Sequence, residues 1–338
     1  MEREARLPAI LVVVVLGWAV IGQWVYGPGT GGRATAQRPD LRQAGPDFWT
    51  GYEAERAGDH QRAVEYYTRA LDVPSLPLAV RAAILNDRGL IHARLGDRRR
   101  AIADYDAALA LNPDERYALY NRGLAHAALG QLDAAIADYD AAIELMPRSA
   151  SARGARGQTY AKRGDYQRAI ADYDAALQIK PYHIKTLCSR GNAYSAMGNY
   201  ERAIQDYSSA LRINSALRIS PNYYCLYGRG SAFYDLGDFE SAIADYDAAL
   251  RIAPADVRSL TSRGLAYTHL GSYAQALADF DAALRLDPEY TPALRGRGYA
   301  YERSGRREQA IADYERARVL EPEDAWTLAK LRYLERQE

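Results

Sequence analysis

The sequence predicts an all-α solenoid, a stack of eight helix–turn–helix units, on three observations. The first is a period. Residues 122–147, RGLAHAALGQLDAAIADYDAAIELMP, return 34 residues on at 156–181 and again at 263–288. A fixed period between ~20 and ~50 residues marks a stacked repeat array. The second is punctuation. Gly130 closes one apolar run, in the place where glycine takes the left-handed turn that ends a helix. Pro147 closes the next by forbidding continuation. Between them Ala135, Ile136, Tyr139, Ala142 and Ile143 are spaced three and four apart, on one helical face. The third is the set of small residues that close packing requires. Counting each unit so that the glycine of its Arg-Gly pair is position 8, Gly recurs there from Gly51 to Gly298. Ala recurs at position 20 from Ala63 to Ala310, and a ring at position 24 from Tyr67 to Tyr314. Rings of that size fill the space that small residues leave between neighbouring helices.

These slots carry a resemblance. The unit resembles the tetratricopeptide repeat, whose pattern has Gly or Ala at 8, Tyr at 11, Ala at 20, Tyr or Phe at 24, Ala at 27 and Pro at 32. Position 27 here is Ala70, Ala108, Ala142, Ala176, Ala210, Ala249, Ala283 and Ala317. The family's Trp at position 4 is absent, with Leu85, Leu119 and Arg153 in its place. The resemblance implies a right-handed superhelix whose concave face, lined by the first helix of each unit, binds protein or peptide.

Before the array, residues 1–6 form a short charged tail. Leu7 to Tyr26, LPAILVVVVLGWAVIGQWVY, carries no charge. At ~1.5 Å per residue it reaches across a ~30 Å hydrocarbon core. We read it as an uncleaved transmembrane anchor; the alternative is a signal peptide cleaved after Ala34-Thr35-Ala36. Arg3 and Arg6 in the tail predict that the tail stays inside, with the repeats on the periplasmic side of a bacterial inner membrane. Residues 27–44, rich in Gly and Pro, read as a flexible linker. The eight units occupy 45–323.

Successive position-8 glycines lie 38, 34, 34, 34, 39, 34 and 34 residues apart. The first and fifth junctions are therefore long, and we expect surface insertions there, around 72–77 and 214–221. Residues 324–338, with Trp326, Leu328, Leu331 and Leu334 on one face, read as a terminal capping helix, and no catalytic domain is expected after it.

The composition excludes some functions. Lys plus Arg and Asp plus Glu both number 43, so the chain lacks the basic excess that bulk nucleic-acid binding needs. No phosphate loop, nucleophile elbow or metal-binding His-Glu motif occurs. His92 and His126, both at position 11, are expected to fill space in the core. Neither an enzyme nor a cofactor nor a metal site is expected. Cys188 and Cys225, the two cysteines, are too few for a zinc site. A disulfide between them is not expected, although an oxidising compartment would permit it.

One departure from the family pattern is systematic. Position 7 is Arg in units two to eight (Arg88, Arg122, Arg156, Arg190, Arg229, Arg263, Arg297), and position 23 is Asp in the same units (Asp104, Asp138, Asp172, Asp206, Asp245, Asp279, Asp313). Unit one lacks both, with Thr50 and Tyr66. Their joint presence and absence predicts ion pairs linking the two helices of each unit, since a buried guanidinium needs a carboxylate. The functional alternative is an arginine ladder for an acidic ligand.

The resemblance assigns binding to positions 2, 5, 9, 12 and 13 of the first helices. Candidate partner-binding residues are Tyr117, Tyr120, Gln158, Lys162, Lys185, Asn192, Tyr224, Tyr227, Tyr234, Arg258, Arg295 and Tyr299. Counted along the groove, Arg56, Arg94, Lys162, Lys185, Arg258, Arg295 and Arg303 outnumber Glu55, Asp235 and Glu302. The expected function is a non-enzymatic scaffold at the membrane that holds an extended, acidic protein segment. An accessory subunit of an envelope enzyme assembly and a groove for carbohydrate or lipid are the alternatives.

Overall fold

The computed structural model describes residues 39–217 and 223–336. Among these residues there are seventeen α-helices and no strands. The helices pair as α1 (Gly45–Arg56) with α2 (His60–Leu71), α3 (Leu78–Arg94) with α4 (Arg98–Leu111), α5 (Arg116–Ala128) with α6 (Leu132–Leu145), and α7 (Ala150–Lys162) with α8 (Tyr166–Ile179). Then come α9 (Ile184–Ala196) with α10 (Tyr200–Ala216), α11 (Tyr223–Asp235) with α12 (Phe239–Ile252), α13 (Val257–His269) with α14 (Tyr273–Leu286), and α15 (Thr291–Arg303) with α16 (Arg307–Leu320). The last helix, α17 (Ala325–Glu335), has no pair.

The turn inside each pair follows from one residue. Gly58, Gly96, Gly130, Gly164, Gly198, Gly237, Gly271 and Gly305 all have φ between 73° and 86°, a conformation closed to side chains with a Cβ at little cost only in glycine. An Asp next to it often caps the second helix; Asp97, for example, accepts the amide hydrogen of Arg100 at 3.1 Å. The glycine at position 8 serves packing instead. A Cβ at Gly123 would stand 2.7 Å from the Tyr139 ring, and one at Gly298 2.6 Å from Tyr314. The ring of each unit thus lies directly on its own first helix, and it is almost fully buried from Tyr67 to Tyr314. It also reaches the next unit, since a Cβ at Gly228 would meet the Tyr207 ring at 2.8 Å.

Each helix packs on its chain neighbours. The first helices of successive units also touch, from α3 with α5 through to α13 with α15, so the array curves with its first helices inside. α17 closes the far end, with Leu331 and Leu334 buried against Ala310 and Tyr314.

The anchor at Leu7–Tyr26 and the 1–6 tail lie outside the described residues; among those described, no helix is long and apolar enough to cross a membrane. The end of the expected linker is not irregular, for Leu41–Ala44 form a 3-10 turn that runs into α1, with Ala44 buried. The two long junctions each include a lengthened helix. At the first, the expected exposed segment is present as well, with residues 72–77 irregular and exposed apart from Leu76; at the fifth, residues 218–221 lie outside the described residues. At the first, α3 runs for 17 residues where most first helices have 13, and Arg81 in its extra turn donates to the carbonyls of Leu71 and Val73. At the fifth, α10 has 17 residues against 14 in most of its counterparts, and Asn214 is buried. Extending a helix satisfies the inserted backbone groups internally, which an irregular segment packed against the array could not do.

Candidate functional site

The position-7 arginines do not reach into the groove. Each meets the position-23 aspartate of its own unit through two parallel bonds. Arg122 donates from Nε to Asp138 Oδ2 at 3.0 Å and from Nη2 to Oδ1 at 2.6 Å. Arg88 with Asp104, Arg156 with Asp172, Arg190 with Asp206, Arg229 with Asp245, Arg263 with Asp279 and Arg297 with Asp313 repeat that geometry, with the shorter contact 2.6–2.7 Å throughout. The aspartates are all buried. Charge-assisted bidentate bonds of this kind are the strong class of hydrogen bond. In Arg122, Arg156, Arg190, Arg263 and Arg297 the bonds to the partner Asp outweigh burial and hold the guanidinium proton more firmly than usual.

Sequence reasoning missed the third bond of each arginine. Nη1 points back to position 25 of the preceding unit: Arg122 to Asp106 at 2.7 Å, Arg156 to Asp140, Arg190 to Asp174 and Arg263 to Asp247 at 2.5 Å, and Arg297 to Asp281 at 2.6 Å. One guanidinium therefore ties two helices of its own unit and one of its neighbour. The signal was present in the second Asp of the recurring Ala-Asp-Tyr-Asp. Where that Asp is absent the bond goes to a hydroxyl: Arg88 to Thr68 and Arg229 to Ser208, both at 3.0 Å. These are the two long junctions.

The candidate groove residues fall into groups. Tyr224, Tyr227 and Arg258 come together with Tyr223. The rings of Tyr223 and Tyr227 stack 6.3 Å apart at 16°, Arg258 lies 5.4 Å above the Tyr227 ring, and Tyr224 packs edge-on against Tyr223 at 5.3 Å with 68% of its surface exposed. Tyr223 also donates to Asp256, and burial with that carboxylate pushes its hydroxyl up to about 12. A second group forms around His269. His269 stacks on Phe239 at 4.6 Å and 9°, Tyr234 meets both edge-on, and Tyr299 stands 6.0 Å from His269 under Arg303 and Lys330. Lys162 and Lys185 are exposed.

Other candidates serve the fold. Arg295 pairs with Asp324 at 3.0 Å and Glu321 at 3.3 Å, tying α15 to the start of α17. Asn192 accepts from the Tyr207 hydroxyl at 2.6 Å, and Gln158 leans toward Ser189 at 3.5 Å. Tyr120 is half-buried against Tyr139 at 6.1 Å, and Tyr117, half-buried, lies 5.2 Å beneath Arg116. The basic surplus is smaller than counted. Arg94 is held by Glu55 at 2.8 Å and Arg258 by Asp256 at 3.3 Å, while Glu302 is held by Lys330 at 2.8 Å. Lys162, Lys185, Arg56 and Arg303 remain without a carboxylate within 4 Å among the described residues.

The cysteines overturn an expectation: Cys188 and Cys225 form a disulfide, with their Cα atoms 5.7 Å apart. Equivalent positions in adjacent units are a helix layer apart. Positions 5 and 3 are not equivalent, and the offset brings α9 and α11 within bridging distance at these two residues. His92 is buried and lies 3.8 Å from Asp104, and His126 lies 3.8 Å from Asp138. Among the described residues no three His, Cys, Asp or Glu converge so as to hold a metal.

Comparison with known proteins agrees with this architecture. A family model for the tetratricopeptide repeat matches residues 86–148, 128–184, 188–257, 227–291 and 261–325. The Photosystem I assembly protein Ycf3 of Acaryochloris marina (strain MBIC 11017) is 36% identical over 74 residues, 22% of this chain and 44% of that protein. The chain thus spans less than half the length of that curated relative. Among solved structures, a chain of the APC/C heterotetramer Cut9–Hcn1 superposes with a TM-score of 0.59 at 14% identity, over 81% of this chain and 52% of that one. The C-terminal part of a TPR repeat-containing protein from Cytophaga hutchinsonii gives 0.57 at 17%, over 72% and 98%. At those identities the likeness is one of fold. The repeat matches extend over most of the chain and coincide with the helix pairs described above, and the protein belongs to the tetratricopeptide repeat family.

Proposed function

We propose that this protein is a non-enzymatic scaffold that holds an extended, acidic protein segment along the concave face of its array, with its hot spot on α11 and α13. The observation that carries the reading is the cluster of Tyr223, Tyr224, Tyr227 and Arg258, where an exposed ring stands beside a stacked pair capped by a guanidinium. Rings and Arg are the anchors that dominate protein interfaces. The exposed Lys162 and Lys185 precede the cluster along the array, and Arg303 follows it. An acidic segment would meet unpaired cations on both sides and bind less well as salt rises. A relative described as an assembly protein fits a holding role. We further propose that Leu7–Tyr26 anchors the scaffold in a bacterial inner membrane with the repeats on the periplasmic side.

The test uses fluorescein-labelled twelve-residue peptides of graded Asp and Glu content, with Lys-rich controls, titrated by anisotropy. Acidic peptides should bind and weaken from low to high salt. Tyr224→Ala with Lys185→Ala should weaken them by ~2 kcal/mol or more without loss of helicity. Tyr227 is left in place because its ring also packs on Tyr246 at 5.8 Å. Equal binding of acidic and basic peptides, or no effect of the double change, refutes the assignment.

A further inference from the structure

We propose that the Cys188–Cys225 disulfide is a redox-controlled clamp on the joint between the fifth and sixth units, and that reducing it divides one cooperative array into two. The inference stands apart from what the groove binds.

The joint differs from its neighbours in three ways. At five other joints the position-7 arginine reaches a carboxylate of the preceding unit at 2.5–2.7 Å. At this one Arg229 reaches only the Ser208 hydroxyl. Among the described residues no ion pair crosses it. The spacing of position-8 glycines is 39 residues here instead of 34, and α10 is lengthened to 17 residues. What the joint has instead is covalent: α9 and α11 are linked through Cys188 and Cys225, within the core that holds Ala203, Tyr207 and Ala210. The first joint makes the comparison sharper. It too is long and has a hydroxyl, Thr68, in place of the carboxylate. There, however, Arg94 and Glu55 form an ion pair at 2.8 Å between the first helices. Each weak joint therefore has a substitute bond between its first helices, and only the fifth uses one that a reductant can break.

A repeat array is held together by nearest-neighbour interfaces, so weakening one interface uncouples what lies on either side. A dithiol would open this one by attack of its thiolate on a sulfur, followed by closure of the mixed disulfide. Two electrons and two protons go to Cys188 and Cys225, which become thiols, and the reductant becomes a cyclic disulfide. Cys188 is 7% exposed and Cys225 is 0% exposed, so attack falls on Cys188 and the Cys225 thiolate leaves first. Tyr224 and Tyr227 flank Cys225 on α11, and Lys185 precedes Cys188 on α9, so the clamp also sets the distance between those groove residues.

The experiment follows urea unfolding and amide hydrogen exchange of the full chain, oxidised and in excess dithiothreitol, with thiol titration to establish that both sulfurs have been reduced. The oxidised protein should show one transition. The reduced protein and Cys188→Ser/Cys225→Ser should show two, with exchange at least tenfold faster in α9 to α11 and unchanged in α5 and α15. Adding Ser208→Asp to the double cysteine variant should restore a single transition by supplying Arg229 with the missing carboxylate. One transition of undiminished cooperativity after reduction overturns the clamp. So does general unfolding of the reduced chain, which would make the disulfide a staple of the whole fold, and so does a double variant that Ser208→Asp leaves in two steps.

Discussion

At the level of single residues, the array depends on a charge held by three bonds. Arg122 serves Asp138 with two bonds and Asp106 with one, and the Asp138 side chain is 7% exposed. Removing the arginine leaves a carboxylate in a place where water reaches it poorly, and breaking a buried pair from one side costs ~3 kcal/mol or more. The chain contains its own control, since unit one has Thr50 and Tyr66 at the same two positions. Arg122→Thr should therefore lower the free energy of unfolding by about 3 kcal/mol, measured in urea, and Arg122→Thr with Asp138→Tyr should recover most of the loss. A single change costing under ~1 kcal/mol would show that the pair is incidental. The sequence made the partners within a unit legible because they appear and vanish together. It hid the partner in the preceding unit because Asp at position 25 reads as ordinary repeat consensus until the arginine fork is seen to have a nitrogen left over.

At the level of the helix, each end is written locally and each length is not. The left-handed glycines and the prolines that follow second helices could be placed from the sequence because both act through backbone geometry at one residue. Whether extra residues would loop out or extend a helix depends on whether the added turn finds something to pack on, as Arg81 and Asn214 do, and that is tertiary information. The same distinction explains the cysteines, whose pairing depends on the offset between α9 and α11. The capping helix was legible from its apolar face, and its role can be tested. Leu331 and Leu334 cover Ala310 and Tyr314, while Asp324 and Lys330 pair with Arg295 and Glu302. A chain ending at Glu323 would expose that core and leave both pairs broken. Hydrogen exchange in α15 and α16 should rise at least tenfold, with α3 to α8 unaffected, because terminal units feel only their nearest neighbours. Unchanged exchange in α16 would mean that the eighth unit needs no cap.

At the level of the whole molecule, the formal net charge is +0, and stability is governed by where charges sit. The groove was partly legible: its rings at Tyr224 and Tyr227 both pack on Tyr223, but Arg258 and Arg295 are claimed by Asp256 and Asp324, which a count along one face does not register. Acid should expose a different set of groups. Burial lowers the proton affinity of His92 below its ordinary 6.5, with Asp104 opposing and Arg88 assisting. Burial, with Arg303 close by, does the same to His269. For each, the unfolded chain takes up a proton more readily than the folded one. The sign follows from linkage: stability is fully present above pH 6.5 and is lost as pH falls from there through the lowered folded value. Two carboxyls move in opposite directions from the ordinary 3.8: burial raises Asp279 against the pull of Arg263, while at Asp256 burial is overcome by the bonds from Tyr223 and Ser259, which lower it. The melting temperature should therefore drop between pH 7.5 and 5.5. His92→Gln with His269→Gln should flatten that drop. An undiminished drop in the double variant would place the acid sensitivity in other groups, because glutamine keeps a polar side chain at both sites but takes up no proton in this range.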